Sequence, residues 1–126
     1  MLIFTKIIFT LAMFTSFTSN AENMDILKIY NQFTLASAAA SKCIKPSKEE
    51  LNAFLVNYQM VVILMHKEIK KRKPEYSEKD LEKVMTNRNT KATDAVNKVI
   101  KSEGCSSNKI QDLIKRFYMQ LKWKPL

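Results

Sequence analysis

Apolar residues recur at three- and four-residue steps through most of the chain beyond residue 24, the period of helices with one face turned inward. The first stripe, over about 24–42, holds Ile26, Ile29, Tyr30, Phe33, Ser37 and Ala40. Its last turns, Ala36 to Ser41, are all small, favour helix and let a neighbouring helix approach closely. Pro46 stops continuation, and Ser47 with Glu50 three residues on has the spacing of a capping box that opens a second helix, about 48–73. Its inner stripe reads Leu51, Phe54, Leu55, Tyr58, Val61, Val62, Met65 and Ile69. Val56, Met60, Ile63 and Leu64 fall on the opposite side, which predicts either a central helix or one whose outer strip meets another molecule.

Pro74 ends that helix, because the residue before a proline avoids the helical region. The third helix, about 78–103, opens at Ser77 with Glu78, Asp80 and Glu82, acids that suit the positive end of a helix dipole. Leu81, Val84, Met85, Arg88, Ala92, Ala95, Val96 and Val99 form its stripe, and Gly104 closes it. Thr86 to Thr90 contains several weaker helix formers and predicts a kink or short break around the inward Arg88. The fourth helix, about 108–123, carries Asn108 and Gln111 at cap-box spacing and turns Ile110, Leu113, Ile114, Phe117 and Leu121 inward. No segment alternates with the period of a strand. Short connections between helices predict an all-α, antiparallel up-down-up-down four-helix bundle, one domain over 22–126.

Residues 1–21 read differently. Lys6 precedes the apolar run Ile7 to Phe14, and Ser19-Asn20-Ala21 places small residues where a signal peptidase cuts, so a cleaved secretory signal is expected. The run is too short to cross about 30 Å of hydrocarbon. Export places Cys43 and Cys105 in an oxidising compartment, secreted or periplasmic, where an even pair forms a disulfide. In the alternating bundle one cysteine follows the first helix and the other the third, at the same end.

Composition then removes most chemistry. With one Gly in 126 residues, phosphate-cradling loops and dinucleotide fingerprints have no material. One His and two Cys exclude a zinc finger, and His66 beside an apolar stripe reads as a packed side chain, not a metal ligand. There is no C-x-x-C-H haem attachment and no G-x-S-x-G elbow. Glu49, Glu50, Glu78, Asp80 and Glu82 occupy first helical turns, where dipole compensation accounts for them. A non-enzyme without cofactor or metal is expected.

Charge is the remaining signal. The chain has 21 Lys+Arg against 12 Asp+Glu, and loss of residues 1–21, which hold one Lys and no acid, leaves 20 against 12, a net +8. Lys67, Lys70, Lys71, Arg72 and Lys73 crowd the end of the second helix; Lys115, Arg116, Lys122 and Lys124 populate the fourth and its tail, with Trp123 between the last two. In the antiparallel bundle these two helix ends are neighbours, so they are expected to form a basic pole suited to an anionic membrane surface, to which each cation contributes about 1 kcal/mol and an interfacial Trp inserts among headgroups. Arg88 joins as an anion-binding fork. The expected partner is a phosphorylated lipid, such as a phosphoinositide-like headgroup of a host or envelope membrane. Nucleic acid fits less well, because no recognition module accompanies the charge. The alternative is a protein-interaction module, an inhibitor, immunity-type or assembly factor, acting through Val56, Met60, Ile63 and Leu64 with Met119, as a homodimer or against a partner helix.

Overall fold

The computed structural model describes residues 24–125, so the expected signal segment lies outside the described residues. Four helices follow one another: α1 Ile26–Cys43, α2 Lys48–Arg72, α3 Glu78–Glu103 and α4 Asn108–Gln120, with no strand among the described residues.

Local chemistry sets their starts. The Asp25 carboxylate accepts from the Lys28 amide at 3.2 Å and caps α1. Two reciprocal capping boxes open α2 and α3: Glu50 N–H to Ser47 Oγ at 3.1 Å with Ser47 N–H to Glu50 Oε1 at 2.9 Å, and Asp80 N–H to Ser77 Oγ at 3.1 Å with Ser77 N–H to Asp80 Oδ2 at 3.0 Å. At α4 the cap is Ser107, not Asn108. Ser107 Oγ accepts from the Lys109 amide at 3.3 Å, while the Gln111 side chain reaches back to the Cys105 carbonyl at 2.8 Å. Ser and Asn cap equally well, so spacing alone could not choose between them.

The stops are equally local. The Lys73 amide closes on the Ile69 carbonyl at 2.7 Å, just before Pro74. Gly104 ends α3 at φ +79°, a left-handed value that favours glycine. A Cβ built there would meet no atom within 4 Å, so the demand comes from the backbone alone. α4 stops at Gln120, three residues short of the expected Trp123. Asn57 of α2 explains this end: its Nδ2 donates to the carbonyls of Gln120 at 2.8 Å and Leu121 at 3.2 Å, satisfying groups a helix end leaves orphaned. The chain then turns, and Trp123 lays its ring edge-on against Phe33, centroids 5.6 Å apart.

The central helix is α1, not α2. It packs against all three others, which meet one another far less. Ala36, Ala38, Ala39 and Ala40 are all buried, although successive positions point 100° apart, so helices approach this end of α1 from several sides. At its other end Phe33 stacks on Phe54 at 5.5 Å and meets Tyr58 edge-on at 6.0 Å, while Phe54 packs on Phe117 at 4.7 Å. The core therefore has two parts. One is aromatic, around Tyr30, Phe33, Phe54, Met65, Met85 and Phe117; the other is small and aliphatic, around Ala38, Ala39, Val96, Ile110 and Ile114.

Several inward assignments are overturned. Leu51 and Leu55 of α2 are exposed, because α2 has α1 as its main neighbour and buries only Phe54, Val61, Met65 and Ile69. On α3 the buried stripe is the narrow set Leu81, Met85, Ala92 and Val96, again because α1 supplies most of its cover. Arg88 and Ala95 fall roughly 50–70° off that stripe at 100° per residue and are exposed. The helix runs unbroken through Thr86 to Thr90, so the expected break does not occur.

Buried hydroxyls bind the aromatic part together. Thr34 Oγ1 donates to the Tyr30 carbonyl at 2.9 Å, which spends its one proton; the 2.8 Å contact with Tyr58 therefore has the tyrosine as donor. Tyr30 donates in turn to the Met85 carbonyl at 3.4 Å, linking α1 to α3. Burial pushes the Tyr58 hydroxyl from 10.0 up to about 12, partly opposed by its Thr34 bond.

The disulfide Cys43–Cys105, Cα atoms 5.6 Å apart, ties the end of α1 to the turn after α3 across 62 residues. In the chain-entropy account a loop of that length contributes about 4 kcal/mol, so replacing both cysteines by serine is expected to lower unfolding free energy by that order in urea titrations. Ala39→Leu forces extra volume into a fully buried site and is expected to cost about 1–3 kcal/mol by the same measurement. Tyr58 ionises more readily in the unfolded chain than in the fold, so its contribution is complete below pH 10 and declines as pH rises from 10 to about 12. Tyrosinate absorbance should show this late phase, and Tyr58→Phe should remove it.

Candidate anion-binding surface

The capture of the α4 end by Asn57 sets the geometry of the cationic residues. α4 finishes level with the middle of α2, and Trp123 sits against Phe33, whose other neighbours are Phe54 and Tyr58. At 1.5 Å per residue, Lys70 lies about 18 Å beyond Tyr58 along α2. The two basic segments thus form two groups instead of one continuous pole. One holds Lys67, Lys70, Lys71, Arg72 and Lys73 at the α2 end; the other holds Lys115, Arg116, Lys122 and Lys124 on α4 and its tail.

The α2 group is partly engaged. Lys70 Nζ donates to the Tyr76 carbonyl at 2.8 Å, fastening the turn to α3, and Arg72 pairs with Glu68 one helical turn earlier at 2.9 Å. The Ser77 amide and hydroxyl hold the Asp80 carboxyl below its usual range. Lys67, Lys71 and Lys73 are exposed and make no ion pair among the described residues.

Two of the α4 group, Arg116 and Lys122, line a cleft of about 230 Å³ between α1 and α4. Ile29, Phe33, Met119 and Trp123 give it apolar walls, and Arg116 and Lys122 stand on its rim with Gln32 and Gln120. Arg116 also pairs with Asp112 at 3.0 Å; both side chains are exposed, so water weakens that pair. Lys122 is exposed and makes no ion pair among the described residues. Gln120 is 8% exposed, and its Oε1 is buried without a hydrogen-bond partner. Sequence periodicity missed Ile29 and Gln32 as lining residues, because only the turn at Leu121 brings Trp123 back onto α1. Arg88, exposed on α3, is not among the residues of this cleft.

A third feature lies on the outer side of α2. Val56 is 66% exposed, Met60 41% and Ile63 45%, whereas Leu64 is half-buried against the aromatic core and so leaves the expected strip. Met119 is 69% exposed on α4, where it lines the cleft. No group of His, Cys, Asp and Glu side chains among the described residues could hold a metal ion. No described helix is long and apolar enough to cross a membrane. Comparison with protein-family models, curated proteins and solved structures finds no match for this chain, and its functional reading rests on the placement of its own side chains.

Proposed function

We propose that this is an exported, non-enzymatic helical protein that binds an extended anionic surface, namely the lipid phosphates of a membrane, with phosphoinositide-like headgroups as the favoured ligands. Supporting it is the placement of its cations in two groups, one at the end of α2 and one at the end of α4, which Asn57 holds level with the middle of α2. One small anion cannot neutralise both groups, whereas a lipid surface presents phosphates to each. Trp123 and Met119 beside Arg116 and Lys122 supply apolar and cationic contacts together, the combination an interfacial region rewards.

The same reading takes residues 1–21 as a cleaved signal and 22–126 as one domain whose helices alternate in direction. Support for alternation comes from the pairing of Tyr30 with Tyr58 and Phe33 with Phe54 between α1 and α2, against Tyr30 with Met85 and Cys43 with Cys105 between α1 and the α3 segment. A disulfide accords with an oxidising compartment.

Vesicle co-sedimentation tests the proposal. The protein is expected to pellet with vesicles containing phosphatidylglycerol or a phosphoinositide, to stay in solution with phosphatidylcholine alone, and to be released as salt rises. Lys73→Ala and Lys122→Ala, one from each group, should each weaken binding by about fivefold, the equivalent of about 1 kcal/mol per cation. Binding indifferent to both lipid charge and salt would sink the idea.

A further inference from the structure

We infer that the outer face of α2 is a self-complementary seam on which two copies of the chain pair antiparallel about Met60. From Leu51 to His66 the sequence carries no Lys, Arg, Asp or Glu, although a quarter of all residues in the chain are charged. Within that run Val56, Met60 and Ile63 are spaced four and three residues apart, on one line of the helix surface, and all three are exposed. Continuing the line at the same steps leads to Glu49 before the apolar segment and to Lys67, Lys70 and Lys71 after it, every one of them exposed. The seam is thus negative at its start, apolar in its middle and positive at its end.

Such a line is complementary to itself when reversed. A two-fold axis beside Met60 sets each Val56 against Ile63 of the second copy and Met60 against Met60. The same axis brings Glu49 to Lys71, eleven residues to either side. Glu49 and Lys71 have no ion pair among the described residues, so neither must break one there to make this one. A parallel pairing would set acid against acid and lysine against lysine. An anionic bilayer would meet Glu49 on this face, so the seam suits a second copy better than a lipid surface. Isologous pairing of this kind is the commonest route to a closed homodimer. The cleft between α1 and α4, with Lys122 and Trp123, lies off the seam; a dimer would present it twice, raising avidity for an extended surface without new contacts.

Sedimentation velocity without lipid, from about 1 μM to about 1 mM protein, tests the pairing. The wild-type chain is expected to pass from monomer to dimer across that range. Met60→Asp, an exposed substitution checked for helicity by circular dichroism, should weaken association more than tenfold. Glu49→Lys and Lys71→Glu should each weaken it about fivefold, and the double exchange should recover most of the loss, since it restores opposite charges only in the antiparallel register. Monomer throughout, a dimer untouched by Met60→Asp, or a double exchange no better than the single changes would each overturn the inference. None of these outcomes depends on lipid binding, so the vesicle experiment stands or falls separately.

Discussion

Close approach to the small-residue half of α1 is the constraint on which the arrangement depends. Ala36, Ala38, Ala39 and Ala40 present little more than a backbone cylinder, and only such a surface lets α1 be covered on several sides at once. With α1 at the centre, α2, α3 and α4 each need a single inward stripe, and the contacts among them become secondary. The exposed Leu51 and Leu55, the exposed Arg88 and the narrow stripe of α3 all follow from that one placement. A large residue in the alanine run would push a neighbour outward, because a close-packed interior has no spare volume to absorb it.

The opposite half of α1 works by bulk instead of closeness. Phe33 touches Phe54, Tyr58 and Trp123, rings contributed by α2 and by the tail beyond α4. Around them the Tyr58 hydroxyl donates to Thr34, Thr34 to the Tyr30 carbonyl and the Tyr30 hydroxyl to the Met85 carbonyl, so burying these polar groups does not leave them unpaired. The disulfide reinforces the end where alanines provide thin side-chain cover, and the aromatic cluster needs no covalent tie. The two ends thus reach stability by different routes from one helix.

Surface chemistry divides along the same lines. Because Asn57 takes the last carbonyls of α4, that helix stops at mid-height on α2 and delivers Trp123 and Lys122 to α1 instead of to the lysines at the α2 end. The cations are spread over two stations, and the charge-free outer face of α2 is left open. In the proposed reading the open face meets a second copy, which engages Lys71 with Glu49, and lipid phosphates are left the cleft station and those α2 cations that lie off the seam.

Helix existence and most helix ends were legible in the sequence, because caps, prolines and Gly104 act within a few residues: the Ser47–Glu50 and Ser77–Asp80 boxes and the stops before Pro74 and at Gly104 depend on no distant partner. The cysteine pairing was legible as well, from parity and from the order of the helices. Which helix lies at the centre was not, since α2 carries apolar residues on more than one side while α1 ends in small alanines, and burial rewards whichever surface its neighbours can approach. The choice of Ser107 over Asn108 lay between two equal local caps, whereas the early end of α4, the cleft walls Ile29 and Gln32 and the exposure of Arg88 turn on contacts between segments tens of residues apart. Sequence by itself determined local backbone conformation and the inventory of charge; only the tertiary structure decided which faces are covered, because covering a face takes a second helix whose distance and angle depend on every side chain between them.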